Sequence, residues 1–257
     1  TGVAYLRALE AKGLSVELAA QRMNFVVGLS QDQFTTIAKV RAARALWSAI
    51  LKSSGVSGSA MRLDGVTSSR MFTRHDPHVN VLRATIAGFA GAVGGLDSIT
   101  VLPFDTRMGG SQALARRVAR NLQVILAEES NLYRVADPAG GSFYVERLTN
   151  DLADASFAEF KAIEKAGGIV ASISNRTLAR NINQSNETRK ANIASRKDAI
   201  TGVSEFANLD DQPTSNLDLT SLRESIKADL AANKALLSDV IGSGLGQFNP
   251  KPIASVF

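Results

Sequence analysis

The residues of this chain with the types and positions to do chemistry follow three short apolar segments: 23–29 (MNFVVGL), 60–66 (AMRLDGV) and 98–104 (SITVLPF). Parallel α/β folds bind ligands at the carboxyl ends of their strands. The residues to weigh are therefore Asp64, Thr67, Ser68, Arg70, Asp105, Thr106 and Arg107. Asp64 and Asp105 could divide acid and base work between them; aspartates at such ends are also common loop formers and helix caps. No histidine, cysteine or paired Glu/Asp motif stands at these ends. The two histidines, His75 and His78, flank Asp76-Pro77, a spacing that resembles a metal-ligand set. Pro77 reads as the first residue of a helix, so the two rings do not share one helical face, and structural histidines are the simpler reading. The stretch 137–142 (DPAGGS) offers backbone amides to a phosphate. It follows no strand and has no P-loop lysine, so it reads as a turn.

The elements that must position these residues repeat in order. Each apolar segment is short, bounded by turn formers and followed by an amphipathic helix. Their starts lie about 37 residues apart, which suits βα units joined by parallel crossovers. Ser30 with Gln33 forms a capping box before a helix that carries Phe34, Ile37, Val40, Trp47 and Ile50. Asp76 is the expected N-cap of the next helix, whose core face is Val79, Leu82, Ile86, Phe89 and Val93, with a stop at Gly94-Gly95. A third helix is expected over 111–130, with Leu114, Val118, Leu122 and Ile125 facing the core. Residues 3–12 read as a helix with no strand before it, as in a trimmed chain.

After residue 131 the rhythm changes. Long helices are expected at 146–167 and 176–196, a short strand at 200–206 (ITGVSEF), a linker at 208–215 and a final helix at 219–240. The organisation read from this pattern is residues 1–130 as βα units of a barrel, 131–207 as a helical connection packing on them, and 208–257 as linker and C-terminal helix. An eight-stranded barrel needs about 250 residues. Three units would leave open edges, to be covered by self-association or by a partner segment.

The 257 residues include 45% hydrophobic and 21% charged types, ordinary values for a globular chain. No run of about 18 apolar residues is present. The absence of cysteine rules out disulfides and thiolate metal ligands within the chain, and fits a reducing cytoplasm. The net charge of +5 is spread over helix faces, and aromatics at 6% are too few for a base-stacking surface. Neither nucleic acid nor membrane is an expected partner.

Several collinear stretches resemble the methylmalonyl-CoA mutase family: 37–47 (IAKVRAARALW), 116–130 (RRVARNLQVILAEES), 135–146 (VADPAGGSFYVE), the Ala166-Gly167-Gly168 turn and 189–209. The resemblance implies an α/β fold, the last three βα units of a TIM-type (β/α)8 barrel with a helical C-terminal extension. It also implies an assembly that interconverts methylmalonyl-CoA and succinyl-CoA with adenosylcobalamin, whose binding domain is not among these residues. The departures from the family pattern are informative. Where catalytic members read approximately RTHSQTSG, Arg62, Thr67 and Ser68 are shared, but the histidine and glutamine positions hold Asp64 and Val66. At the third strand the family's Gln, His and Asn positions hold Asp97, Thr100 and Leu102; its glutamate is Thr106, with Asp105 retained.

By that comparison the chain is most like the small, non-catalytic (beta) subunit of the heterodimeric enzyme, whose partner is the catalytic large (alpha) subunit. Catalytic residues are then none. Arg62, Thr67 and Ser68 are a vestigial CoA-binding set, Asp105 is the one cofactor-facing candidate, and adenosylcobalamin is not expected on this chain alone. The competing readings are a catalytically competent mutase chain and a CoA-thioester binding module in which Arg62 meets a CoA phosphate.

Overall fold

The structure is a computed structural model that describes residues 1–109 and 111–211, with helical positions 224, 227, 228 and 231 beyond them. The chain divides into two compact units, Thr1–Pro213 and Thr214–Phe257. The linker expected at 208–215 and the helix at 219–240 lie mostly outside the described residues.

The first unit is mixed α/β. Helices α1 (Gly2–Glu10) and α2 (Val16–Arg22) precede strand β1 (Asn24–Leu29). Helix α3 (Gln33–Ser53), strand β2 (Arg62–Thr67), helix α4 (Val79–Val93), strand β3 (Ser98–Thr100) and helix α5 (Ala113–Val124) follow. Then come α6 (Phe143–Lys165), α7 (Gly168–Ser174) and α8 (Thr177–Ala194). The three strands form one parallel sheet in the order β1-β2-β3, with Val26 opposite Asp64 and Asp64 opposite Ser98.

Alternation sorts the strand residues onto two faces. Leu29, Leu63 and Thr67 are fully buried on the helical side. Asn24, Arg62, Ser98 and Thr100 lie exposed on the other, where Val26 is 63% exposed. Parallel sheets are normally covered on both faces; among the described residues this one is covered on one.

Three core clusters hold the layers together. Leu29, Met71, Phe72, Ala84, Ala87, Val101, Ala119 and Leu122 fill the space under α4 and α5. Trp47 and Leu51 of α3 pack with Leu6, Ala19 and Ala20, and Phe25 meets Trp47 edge-on at 4.8 Å. Ile37, Ala90, Val93, Ala139 and Val145 join α3, α4 and the start of α6.

Several expected details differ. The N-cap of α3 is Asp32, whose carboxylate accepts from Thr35 N–H at 3.1 Å, while the Ser30 hydroxyl meets Thr36 Oγ1 instead. Asp76 does not cap α4: it adopts φ 44° in a turn, and the helix begins two residues after Pro77. Strand β3 stops at Thr100, because Leu102 N–H is drawn to the Thr67 hydroxyl at 2.8 Å and Pro103 has no N–H to offer. Residues 200–206 form a tight turn around Gly202 (φ 81°), not a strand. Helices α2 and α7 were not foreseen.

The largest difference is rotational. On α4 the buried face is Ala84, Ala87, Gly88, Ala90, Gly91 and Val93, while Leu82 and Ile86 are 64% and 40% exposed. On α5, Ala115, Ala119 and Leu122 are buried while Leu114 is 61% exposed. Close seating on the sheet favours small side chains along most of both faces, with Val93 and Leu122 the larger buried apolar residues. A Cβ on Gly91 would lie 2.8 Å from Leu29 Cδ1 and 3.0 Å from Leu96 Cδ1. Gly91→Val is therefore expected to overpack this contact and destabilise the unit by about 1–3 kcal/mol, read by chemical denaturation. An unchanged midpoint would show that α4 does not sit this close.

Candidate functional site

Three cations of the 37–47 stretch leave α3 in different directions. Lys39 Nζ donates to the Gly28 carbonyl near the carboxyl end of β1, and its burial lowers its pKa from the ordinary lysine value. Arg41 donates to Asp137 and, at 2.6 Å, to Glu146 Oε1. Arg44 donates to the carbonyls of Gly95 (2.7 Å) and Met61 (2.6 Å) and to Asp97 Oδ2 (2.9 Å). Asp97 Oδ2 also accepts from Leu63 N–H at 2.7 Å, so one carboxylate joins the entrance of β2 to the start of β3. In the sequence these residues stand out only within the 37–47 resemblance; the signal for their tethering role is three cations on a half-buried helix.

The Asp137–Ser142 turn is a helix start, not a phosphate cradle. Asp137 takes φ 46°, Glu146 Oε1 accepts from Gly141 N–H at 3.1 Å, and the Ser142 hydroxyl caps α6 at Val145 N–H. A Cβ at Gly140 would stand 2.7 Å from Asp137 Oδ2, which accounts for glycine there.

At the carboxyl ends of the strands, most of the polar groups are engaged within the chain, Asp105 Oδ1 being a buried atom without a partner. Thr67, fully buried, takes Leu102 N–H on its hydroxyl. Ser68 N–H donates to Leu29 O at 2.8 Å, and its hydroxyl accepts from Arg70 N–H at 3.3 Å. Asp105 is 5% exposed and accepts from Gln112 N–H at 2.8 Å through Oδ2, which fixes the entry into α5. Thr106 donates to Pro103 O at 2.6 Å. Arg70 reaches Asn186 of α8 at 3.4 Å, and Arg107 is exposed.

Beneath these ends sits a buried network. Asn80, with no exposed surface, accepts on Oδ1 from Thr73 N–H (3.0 Å) and Arg83 (2.8 Å). Its Nδ2 donates to Thr73 O and Phe104 O. Nothing in the sequence pattern singled out Asn80 or Arg83, because both fall on a helix read for its apolar face.

The residues weighed from the sequence are only partly brought together. Thr67 and Ser68 adjoin at the end of β2. Arg62 begins the same strand, opposite Asn24, some five residues or about 16 Å away. Asp64 lies mid-strand on the open face, where Asn24 Nδ2 donates to it at 2.6 Å; hydrogen bonds from Asn24 and Ser98 hold its carboxyl below the usual range. Asp105 follows β3 on the buried side, so the two aspartates do not form a pair. His75 Nδ1 meets Asp211 Oδ2 at 3.3 Å, and the His78 ring packs 5.4 Å from Phe104. No group of three metal-ligating side chains is found among the described residues. No helix there is long and apolar enough to cross a membrane.

The class defined by this arrangement is a parallel α/β unit whose strand ends are tied into the scaffold. The methylmalonyl-CoA mutase family model matches residues 1–239, and the chain belongs to that family. A methylmalonyl-CoA mutase small subunit of Streptomyces virginiae is 51% identical over 214 residues, covering 83% of this chain and 35% of that protein. The small subunit of Propionibacterium freudenreichii subsp. shermanii is 44% identical, over 80% of this chain and 33% of the relative. The methylmalonyl-CoA mutase of Escherichia coli K12 is 34% identical, over 80% and 29%. The chain thus spans about a third of the length of the curated relatives it matches.

The Asp97 carboxyl supplies a pH test. Burial works against its charged form, but Leu63 N–H and the Arg44 guanidinium outweigh that and hold its pKa below the ordinary value. A depressed folded-state pKa contributes stability above the unfolded value of about 3.9, and that contribution is lost as pH falls through the lower folded value. Asp97→Asn should therefore flatten the loss of stability on acidification below about pH 4 relative to the parent chain, in denaturation curves at a series of pH values. Parallel curves would show that the Arg44–Asp97 contact is not a stabilising pair.

Proposed function

We propose that this chain is part of the small subunit of a two-chain methylmalonyl-CoA mutase, contributing scaffold rather than catalytic groups. The observation that carries the reading is the engagement of the strand ends. Thr67, Ser68 and Thr106 direct their hydroxyls to this chain's own backbone, as Asp105 does its Oδ2; of these groups only the buried Asp105 Oδ1 is left without a partner. The Streptomyces virginiae and Propionibacterium freudenreichii relatives, both small subunits, point the same way.

In this reading the three βα units are a sector of an eight-stranded barrel, and the open sheet face lined by Asn24, Arg62, Asp64 and Ser98 turns toward its interior. Arg62, Thr67 and Ser68 keep residue types of a CoA site without its geometry. Adenosylcobalamin belongs to the assembled enzyme. Its fit here is limited, since Asp105, the nearest counterpart of a cofactor-facing acid, is 5% exposed and gives Oδ2 to Gln112 N–H, leaving only the buried Oδ1 without a partner. Replacing several hydrogen-bonding groups in one buried site, at roughly 1–3 kcal/mol each, is enough to remove most of a rate enhancement. The large mutase chain is the expected partner, and the cytoplasm the expected compartment.

Mixed with a large mutase chain at micromolar concentration, the full-length small subunit containing this sequence should co-purify as a stable heterodimer; failure to do so contradicts the assignment. Titrating this chain alone with adenosylcobalamin should give no saturable spectral shift. A saturable shift would instead favour a competent mutase chain. In calorimetry with CoA, a heat present in the parent and absent in Arg62→Ala would favour the CoA-binding module.

A further inference from the structure

Two exposed surfaces of the first unit are complementary to each other. The first is the turn at 200–211. It is internally braced: Ile200 O accepts from Val203 and Ser204 N–H at 3.0 and 2.9 Å, and Gly202 N–H donates to Glu205 O at 2.7 Å. It is also stapled to the fold at both ends. Arg83 donates to Thr201 O at 2.6 Å, and Asp211 Oδ2 accepts from Asp76 N–H at 3.1 Å while meeting His75 Nδ1.

Between these staples the turn presents its apolar side chains outward: Val203 is 39% exposed, Phe206 89% and Leu209 94%. Phe206 is held at φ 51°, a backbone region that bulky side chains seldom adopt. A braced turn that displays a strained aromatic residue is pre-organised for contact, since little further ordering is needed on binding. Glu205 and the exposed Asp210 flank these apolar groups.

The second surface is the outer face of α5 and the π turn that ends it. Leu114, Val124 and Ile125 are 61%, 51% and 47% exposed there. Arg116, Arg117 and Arg120 are exposed between them. Arg116 donates to Ser111 O and Arg120 to Asn121 Oδ1, both uncharged. The acids of this element, Glu128 and Glu129, lie in the π turn beyond Val124.

We propose that the 200–211 turn of one copy of this chain seats on α5 of a second copy. Phe206 and Leu209 lie against Leu114 and Val124, and Glu205 and Asp210 face Arg116, Arg117 and Arg120. Each copy carries both surfaces, and in the proposed pair the two contacts are made reciprocally about a twofold axis. The contact invokes no large chain and stands or falls separately from the small-subunit reading.

The test is the mass of the full 257-residue chain by analytical ultracentrifugation over a micromolar concentration range. It should rise from 27.2 kDa toward twice that value, and rise less at high salt. Phe206→Gly relieves the backbone strain and removes the ring. It should leave the melting temperature equal or higher while weakening self-association at least tenfold.

A charge-reversed turn (Glu205→Arg with Asp210→Arg) and a charge-reversed helix (Arg116→Glu with Arg117→Glu) should each leave the chain monomeric. Mixed together, the two variants should pair, because each then finds the opposite charge on the other. A chain that stays monomeric at all concentrations overturns the proposal, including one that binds only a different protein. So does a dimer indifferent to Phe206→Gly, or reversed variants that fail to pair on mixing.

Discussion

A parallel sheet of three strands cannot close on itself, and its edges offer no internal means of fixing where the following loops and helices sit. In this chain that task falls to α3. Lys39, Arg41 and Arg44 leave the same helix to hold the Gly28 carbonyl, the Asp137–Ser142 turn with Glu146 of α6, and the Gly95, Met61 and Asp97 groups at the entrances of β2 and β3. A guanidinium can satisfy several acceptors at once in a fixed plane, so Arg44 fixes a geometry that a lysine would leave loose. Exposed ion pairs contribute little on their own. These gain weight because they also satisfy backbone carbonyls where elements begin and end.

The carboxyl ends of the strands follow the same economy of polar groups. Thr67 supplies the acceptor that Leu102 N–H loses when β3 stops short, and Asp105 does the same for Gln112 N–H at the start of α5. A side chain that must hold a buried amide cannot leave it for a substrate without exposing an unsatisfied donor. That constraint connects local structure to function: a side chain committed to the scaffold and one committed to a substrate compete for the same few atoms, and Thr67 and Asp105 Oδ2 are committed to the scaffold.

The order of strands and helices was legible from apolar segments recurring at a steady interval, and so was the family, because its residue patterns are collinear along the chain. What was not legible had physical causes. Leu82, Ile86 and Leu114 are large apolar residues left exposed, while Ala84, Ala87, Gly91 and Ala119 are buried beside the expected Leu122 and Val93, since close approach of helix to sheet at most of these positions admits only small side chains. The turn at 200–206 reads as a strand from its Ile, Val and Phe, but Gly202 at φ 81° folds it back on itself. Asn80 and Arg83 were invisible because a polar network within a helical pattern has no period of its own. Thr67 and Ser68 lie at the carboxyl end of β2, where the apolar segment ahead of them put them. Arg62 stands at the opposite end of the same strand, as its place near the start of the 60–66 segment implied.

Helix α3 ties the α6 arm to the sheet through Arg41, and hydrogen exchange measures that tie most directly. In Arg41→Met, the amides of Val145 and Thr149 should exchange faster while those of Val27 and Leu63 in the sheet keep their protection. Exchange unchanged at α6, or accelerated equally in α6 and the sheet, would contradict it.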